Sequence, residues 1–289
     1  MGLFFSSDRF TRPGPGVRPD APRKKGVARL AEIMGRDMWN FFRAGFLAFL
    51  GCLPFIIGMF FAVETHALLF MLLAGIIGGL IAGPELSAMA DTVLRSLRDE
   101  PGYWWETYRR VWKRNARESL VPGMLTGLVL SMQIFTLFHM SVISAGIVTW
   151  VLLILSFVIT LGLESYIWPQ IALLDLPLYG ILKNSLLLFL GYLPRSLGAI
   201  AINAVYWGAI LLFFPLTTII LPFTNFWLPM LPALLCIYQP LNKCFTIEST
   251  INKMREDELN AALAKDNEPL PEDPTEKAEE STNASSDVQ

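Results

Sequence analysis

The sequence predicts an all-α, polytopic membrane protein with about six transmembrane helices and additional cytoplasmic amphipathic helices. Three observations carry that expectation. Hydrophobic residues make up 53% of the chain, charged residues only 17%, and the mean hydropathy is +0.47, a balance foreign to water-soluble domains. The charges are also segregated: no Asp, Glu, Lys or Arg occurs at 119–163 or 196–242, and Glu64 alone interrupts 44–84. Finally, these runs are continuously apolar rather than alternating. That pattern favours helices, which satisfy their own backbone hydrogen bonds, over a β-barrel.

A helix needs about 20 apolar residues to cross a hydrocarbon core roughly 30 Å thick, so each run has room for two crossings and a turn. The expected spans are 44–63, 67–82, 120–138, 145–163, 197–221 and 222–241. Lys and Arg concentrate in cytoplasmic segments near span ends. Of the 23 in this chain, nine precede the first span, seven lie between spans two and three, two between four and five, and five after the sixth. The connections around Glu64, His139 and Asn225 hold none. Both termini are therefore expected in the cytoplasm, with those three turns outside. The first long apolar run follows more than forty polar, Pro-rich and basic residues, so no cleavable signal peptide is expected.

Three regions follow: a basic cytoplasmic segment at 1–43, a membrane domain at 44–245 and an acidic cytoplasmic tail at 246–289. From residue 255 onward the tail holds eleven acids, three prolines and no aromatic residue, a composition with too little apolar surface to offset the entropy of ordering. It is expected to be disordered. Without it the balance reverses, because residues 1–254 carry 20 basic and 14 acidic side chains.

Residues 103–117 read YWWETYRRVWKRNAR. Helical spacing puts Trp104, Trp105, Tyr108, Val111 and Trp112 on one face, opposite Arg109, Arg110, Lys113, Arg114 and Arg117. That composition suits a helix lying in the headgroup layer, with indoles at the boundary and cations on anionic lipid. A docking surface for another protein would use the same residues. Nucleic acid is a poorer partner, since membrane insertion already requires the basic residues where they are. Gly75, Gly79 and Gly83 form a doubled GxxxG repeat that permits close approach by another helix, of this chain or of a partner.

Residues 42–58, FRAGFLAFLGCLPFIIG, match 182–198, LKNSLLLFLGYLPRSLG, at Leu47/Leu187, Gly51/Gly191, Pro54/Pro194 and other positions. An internal repeat is one reading, as in many transport folds; chance likeness of Leu-rich segments is the other. Residues 177–193 are expected as an interfacial or re-entrant helix ahead of span five.

No catalytic constellation is legible. The two histidines, His66 and His139, fall in different turns, and Walker, GxSxG and HExxH patterns are missing, so neither an enzyme nor a cofactor is expected. Cys52, Cys236 and Cys244 lack the spacing of a disulfide framework or a zinc site. Polar residues inside a membrane are expensive and often mark pathways. Glu85, Gln133, Glu164, Asn203 and Gln239 are the candidates here, with interhelical hydrogen bonding and interface placement as the plainer alternatives.

The run GPGVRPDAPRKKGVARLAEIMGRDMWNFFRAGFLAFLGCLP, followed by AGPELSAMADTVLRSLRDEP and YWWETYRRVWKRN, resembles the YesL family of bacterial membrane proteins, whose function is not known. The resemblance covers about residues 13–245. It implies a bacterial cell membrane location and an accessory role in carbohydrate uptake, beside the permease subunits of an ABC-type importer. It supplies no catalytic or binding residues. A small-solute transporter or channel is the second functional expectation.

Overall fold

The protein is described by a computed structural model over residues 23–100, 102–140, 142 and 146–266. Residues 1–22 of the basic segment, 267–289 of the acidic tail and the first residue of the fourth expected span lie outside the described residues. Those described form only helices: α1 Gly26–Thr65, α2 Leu68–Leu97, α3 Trp104–Phe138, α4 Ile147–Leu173, α5 Leu178–Gly191, α6 Leu193–Leu212, α7 Thr217–Thr224, α8 Trp227–Phe245 and α9 Ile247–Asp266. Five of them, α1 to α4 and α6, are long and apolar enough to cross a membrane. The chain is a multi-pass, all-α membrane protein.

Among the described residues the first four expected spans fall in α1 to α4, except that Ala67 and Gly146 precede the first turns of α2 and α4. The fifth and sixth need correction. α6 ends at Leu212 instead of running to 221, and α8 does not reach the apolarity of a span. The uncharged run suggested two crossings, but Pro215, Pro222, Pro229, Pro232 and Pro240 punctuate it. Proline removes a backbone donor and clashes with the preceding turn, and here it leaves short α7 and a mixed-polarity α8.

Length gives the bundle a polar head. α1 has 40 residues and α3 has 35, so they extend roughly 60 and 50 Å, well beyond a hydrocarbon core. The excess lies at one end, where the start of α1, the end of α2 and the start of α3 carry the charged residues. Residues 103–117 are thus not a separate helix lying flat on the membrane. No breaker separates 117 from the apolar run that follows, and the helix continues from Trp104 to Phe138.

In lipid, helices associate through close packing and hydrogen bonds, since apolar burial gains little there. α2 supplies the close packing. Gly75, Gly79 and Gly83 meet Ser119, Gly123, Gly127 and Ser131 of α3, which themselves recur every four residues. A Cβ on Gly127 would lie 2.5 Å from the Gly75 carbonyl oxygen and 2.8 Å from Gly79 Cα. The glycine repeat is therefore filled by this chain, and the possibility of a partner helix on that face is overturned. α2 approaches α1 in the same way through Gly78, in the π-helical turn Ala74–Gly78: a Cβ there would stand 2.6 Å from Phe55 Cα.

Hydrogen bonds join α4 to its neighbours. Gln133 Nε2 donates to Thr160 at 2.8 Å from α3, Gln170 Nε2 donates to Ser185 of α5 at 2.8 Å, and the Tyr166 and Ser196 hydroxyls, on α4 and α6, are 2.9 Å apart. The proposed repeat does not fold as one: 42–58 is unbroken helix across Pro54, whereas 182–198 breaks at Tyr192 before Pro194. Proline is tolerated at the start of α6, and the turn there sets α5 apart as its own 14-residue helix.

The chain divides into two compact units, Met1–Pro240 and Leu241–Gln289. In the second, Asn242 Oδ1 accepts the Glu248 backbone N–H at 2.9 Å, and the hydroxyls of Ser249 and Thr250 donate to the Thr246 carbonyl. The tail expected to be disordered from 246 onward thus begins as helix α9. Its residues IESTINKMREDELNAALAKD are mostly good helix formers, and the first proline comes only at 269.

Candidate functional site

The polar head is organised around the end of α2. A helix C-terminus leaves carbonyls without partners, and α2 ends just before Asp99, which adopts a left-handed φ of 59°. Guanidinium groups fill the gap: Arg29 Nη2 donates to Leu97 O at 3.0 Å, Arg36 Nη2 to Ser96 O at 2.8 Å and Arg23 Nη2 to Arg98 O at 3.1 Å. The same three arginines converge on the Asp99 carboxylate, Arg29 at 2.7 Å, Arg23 at 3.0 Å and Arg36 in a short contact. Burial alone would raise the Asp99 pKa, but hydrogen bonds from Arg36 and Arg29 outweigh it and hold the carboxyl below its ordinary value. Arg29 and Arg36 are two helical turns apart on one face of α1, a spacing the sequence displays but does not connect to α2.

A second set of ion pairs lies beside the first. Arg95 binds Asp91 at 2.7 Å and Glu100 at 3.3 Å, and buried Arg98 binds Glu100 at 2.7 Å. Cations that a topology count treats alike are thus of two kinds, those joined to acids of the same chain and those left facing outward.

Glu85 is the joint between head and membrane part. Its Oε2 accepts the Tyr108 hydroxyl at 2.5 Å, and its Oε1 accepts Trp112 Nε1 at 2.9 Å. Its Cγ packs where Gly51 lacks a side chain, 2.6 Å from the position of a Cβ. One carboxylate therefore ties α1, α2 and α3 together. Glu164, partly buried on α4, has no hydrogen-bond or ion-pair partner among the described residues.

The residues expected at the membrane interface divide by face. Tyr108, Val111 and Asn115 are buried against the bundle. Trp104 lies tilted against Tyr108, ring centroids 5.3 Å apart, with Arg43 over its ring at 5.6 Å, whereas Trp105 and Trp112 remain exposed. Arg114 donates to the Ala172 carbonyl at 2.8 Å and so caps α4. Arg110 pairs with Glu106 at 3.3 Å. Arg109, Lys113 and Arg117 form an exposed stripe at four-residue spacing, without an acidic partner among the described residues.

Of the remaining candidates, Asn203 donates to Ala199 O of its own helix at 3.0 Å, and Gln239 is exposed on α8. Among the described residues no group of three or more His, Cys, Asp or Glu is arranged to hold a metal ion. Sequence reasoning missed the Arg29–Arg36–Asp99 cluster and the second glycine repeat, Gly123 and Gly127. The second was legible as GxxxG; the first joins residues some seventy positions apart, which no local pattern reports. Comparison with protein-family models, with curated proteins and with solved structures finds no match.

Proposed function

We propose that this protein is a non-enzymatic accessory component of a bacterial cell membrane that supports a carbohydrate ABC-type importer by contacting its permease subunits, and that it moves no solute alone. One observation carries the reading. The polar groups inside the membrane part, Glu85, Gln133, Gln170 and Asn203, each hydrogen-bond within their own chain, which supports a packing role over a solute path. The resemblance noted in the sequence supplies the importer.

In this reading both termini and the polar head face the cytoplasm, following the Lys and Arg distribution, which with five long apolar helices requires the segment after α6 to return toward the head, where Asn225 meets Gly45. The stripe Arg109, Lys113 and Arg117 rests on anionic headgroups, where each cation contributes on the order of 1 kcal/mol. The test is solute flux through proteoliposomes holding the purified chain, with and without importer permease subunits, combined with co-purification of the two. The expected result is association without flux by the chain alone. A single observation favours the transporter alternative, the carboxylate of Glu164 in α4, which has no hydrogen-bond or ion-pair partner among the described residues. Flux by the isolated chain that Glu164→Gln abolishes would establish that alternative and remove the accessory reading.

A further inference from the structure

The two histidines of the chain meet at the end of the bundle away from the polar head. His66 closes the turn after α1 with a left-handed φ of 53°, and His139 caps α3. His66 Nδ1 lies 2.7 Å from His139 Nε2, with the rings edge to face at 4.8 Å. His139 is buried and stacks on Phe135 at 3.9 Å, and its Nδ1 lies 2.7 Å from the Phe135 carbonyl oxygen.

Proton accounting follows from these contacts. A carbonyl only accepts, so His139 Nδ1 carries a proton. The gap between His66 Nδ1 and His139 Nε2 holds one further proton, owned by either ring. The neutral pair satisfies this with the gap proton on His66, and so does the pair carrying one positive charge, because the extra proton then occupies the outward His66 Nε2 whichever ring holds the gap proton. A charge-assisted hydrogen bond is the stronger kind. A second extra proton puts N–H against N–H, and two positive charges then face each other across the contact. The only Asp, Glu, Lys or Arg near this end of α1 is Glu64; the facing ends of α2, α3 and α4 contribute none, since 67–84 and 119–163 are uncharged.

From this geometry we propose that the His66–His139 contact is an acid-released clasp. It holds the α1–α2 turn to the end of α3 through the first protonation and lets it go at the second. Imidazole is the side chain at this contact that gains charge on acidification, and the second proton must enter beside the first charge. The clasp lies on the side opposite the arginine-rich head. If the orientation proposed above holds, it reads the pH outside the cell; the clasp itself does not depend on that orientation.

Two measurements on the full chain in lipid nanodiscs test it. With only two histidines, 15N-labelled imidazoles give two ring systems. At pH 8 they should show a protonated His139 Nδ1 and scalar coupling across the Nδ1–Nε2 hydrogen bond. On acidification, protons should bind in two separate steps, as coupled sites do, with the coupling lost only in the second. Coupling absent at pH 8, or both rings titrating together in one step, overturns the proposal. Spin labels at Thr65→Cys and Val142→Cys, with the three native cysteines replaced by Ala, should report a longer distance at the pH where that coupling is lost than at pH 8. His66→Gln should abolish that change. An unchanged distance in the chain with both histidines, or an equal change with His66→Gln, also overturns it.

Discussion

Asn225 fills the notch left by the missing side chain of Gly45. A Cβ at Gly45 would overlap Asn225 Oδ1 and stand 2.6 Å from Trp227 Cδ1. Aromatic contacts continue the interface, Phe42 with Phe223 at 5.9 Å and Phe41 with Trp227 at 6.0 Å. Gly45 is roughly 30 Å of helix from the His66 end of α1. The turn at Asn225, expected beside His66 and His139, therefore sits toward the polar head. In a chain whose three native cysteines are replaced by Ala, Phe223→Cys should be shielded from a membrane-impermeant reagent in intact cells while Thr65→Cys reacts. Equal labelling of both would put the Asn225 turn outside after all.

Gly79 offers the sharpest packing test. Its missing Cβ would overlap the Gly123 carbonyl oxygen, and backbone cannot rotate aside as a side chain can. Gly79→Ala should destabilise the chain by about 1–3 kcal/mol or more, the usual cost of overpacking. Gly208→Ala, with no atom within 4 Å of its Cβ position, should be neutral or slightly stabilising through helix propensity. Equilibrium unfolding in detergent compares the two. Equal stability of both variants would mean the α2–α3 contact is looser than described.

The head should weaken in acid. Asp99 has a lowered carboxyl pKa, so its contribution to stability is fully present above the unfolded value, about pH 4, and is lost as pH falls through the lower folded value. Asp99→Asn keeps a residue that tolerates the left-handed conformation and removes only the charge. It should lower stability at neutral pH and flatten this acid-dependent loss. Melting temperatures across pH 2–6 provide the check; identical acid profiles for both chains would show that the cluster does not couple to stability.

Arg29 and Arg110 differ by burial. Arg29 has a side chain only 7% exposed between Asp99 and the α2 carbonyls, whereas Arg110 is 73% exposed. Arg29→Met should cost about 3 kcal/mol, the scale of breaking a buried ion pair. Arg110→Gln should cost under about 0.5 kcal/mol. Chemical denaturation of the two variants separates these expectations, and a neutral Arg29→Met would contradict the capping role.

Tyr108→Phe leaves Glu85 with Trp112 alone. The loss of a hydrogen bond to a carboxylate should cost about 1.5–3 kcal/mol. Trp112 fluorescence gives a local reading in a chain whose other seven tryptophans are replaced by Phe. Its emission should shift when the substitution loosens the joint, and an unchanged spectrum with unchanged stability would remove Glu85 from the role of tie between helices.

The sequence by itself determined the solvent, the helical class and the cores of the first four spans, because these depend on sums over neighbouring residues: apolar length, missing alternation and segregated charge. The candidate site was legible only in part. Glu85 and the basic face of 103–117 were visible as residues of the right kind, and both glycine repeats could be read as sites of close approach. Only the tertiary structure decided what each one meets. Gly79 faces Gly123 and not a partner protein, Arg114 caps α4 and does not lie on lipid, Glu85 binds Tyr108 and Trp112, and two histidines from separate turns meet nitrogen to nitrogen. Pairings of this kind are fixed by the relative placement of whole helices. Within a bilayer that placement follows from backbone approach and hydrogen-bond geometry, terms too short-ranged to appear in a hydropathy or charge count.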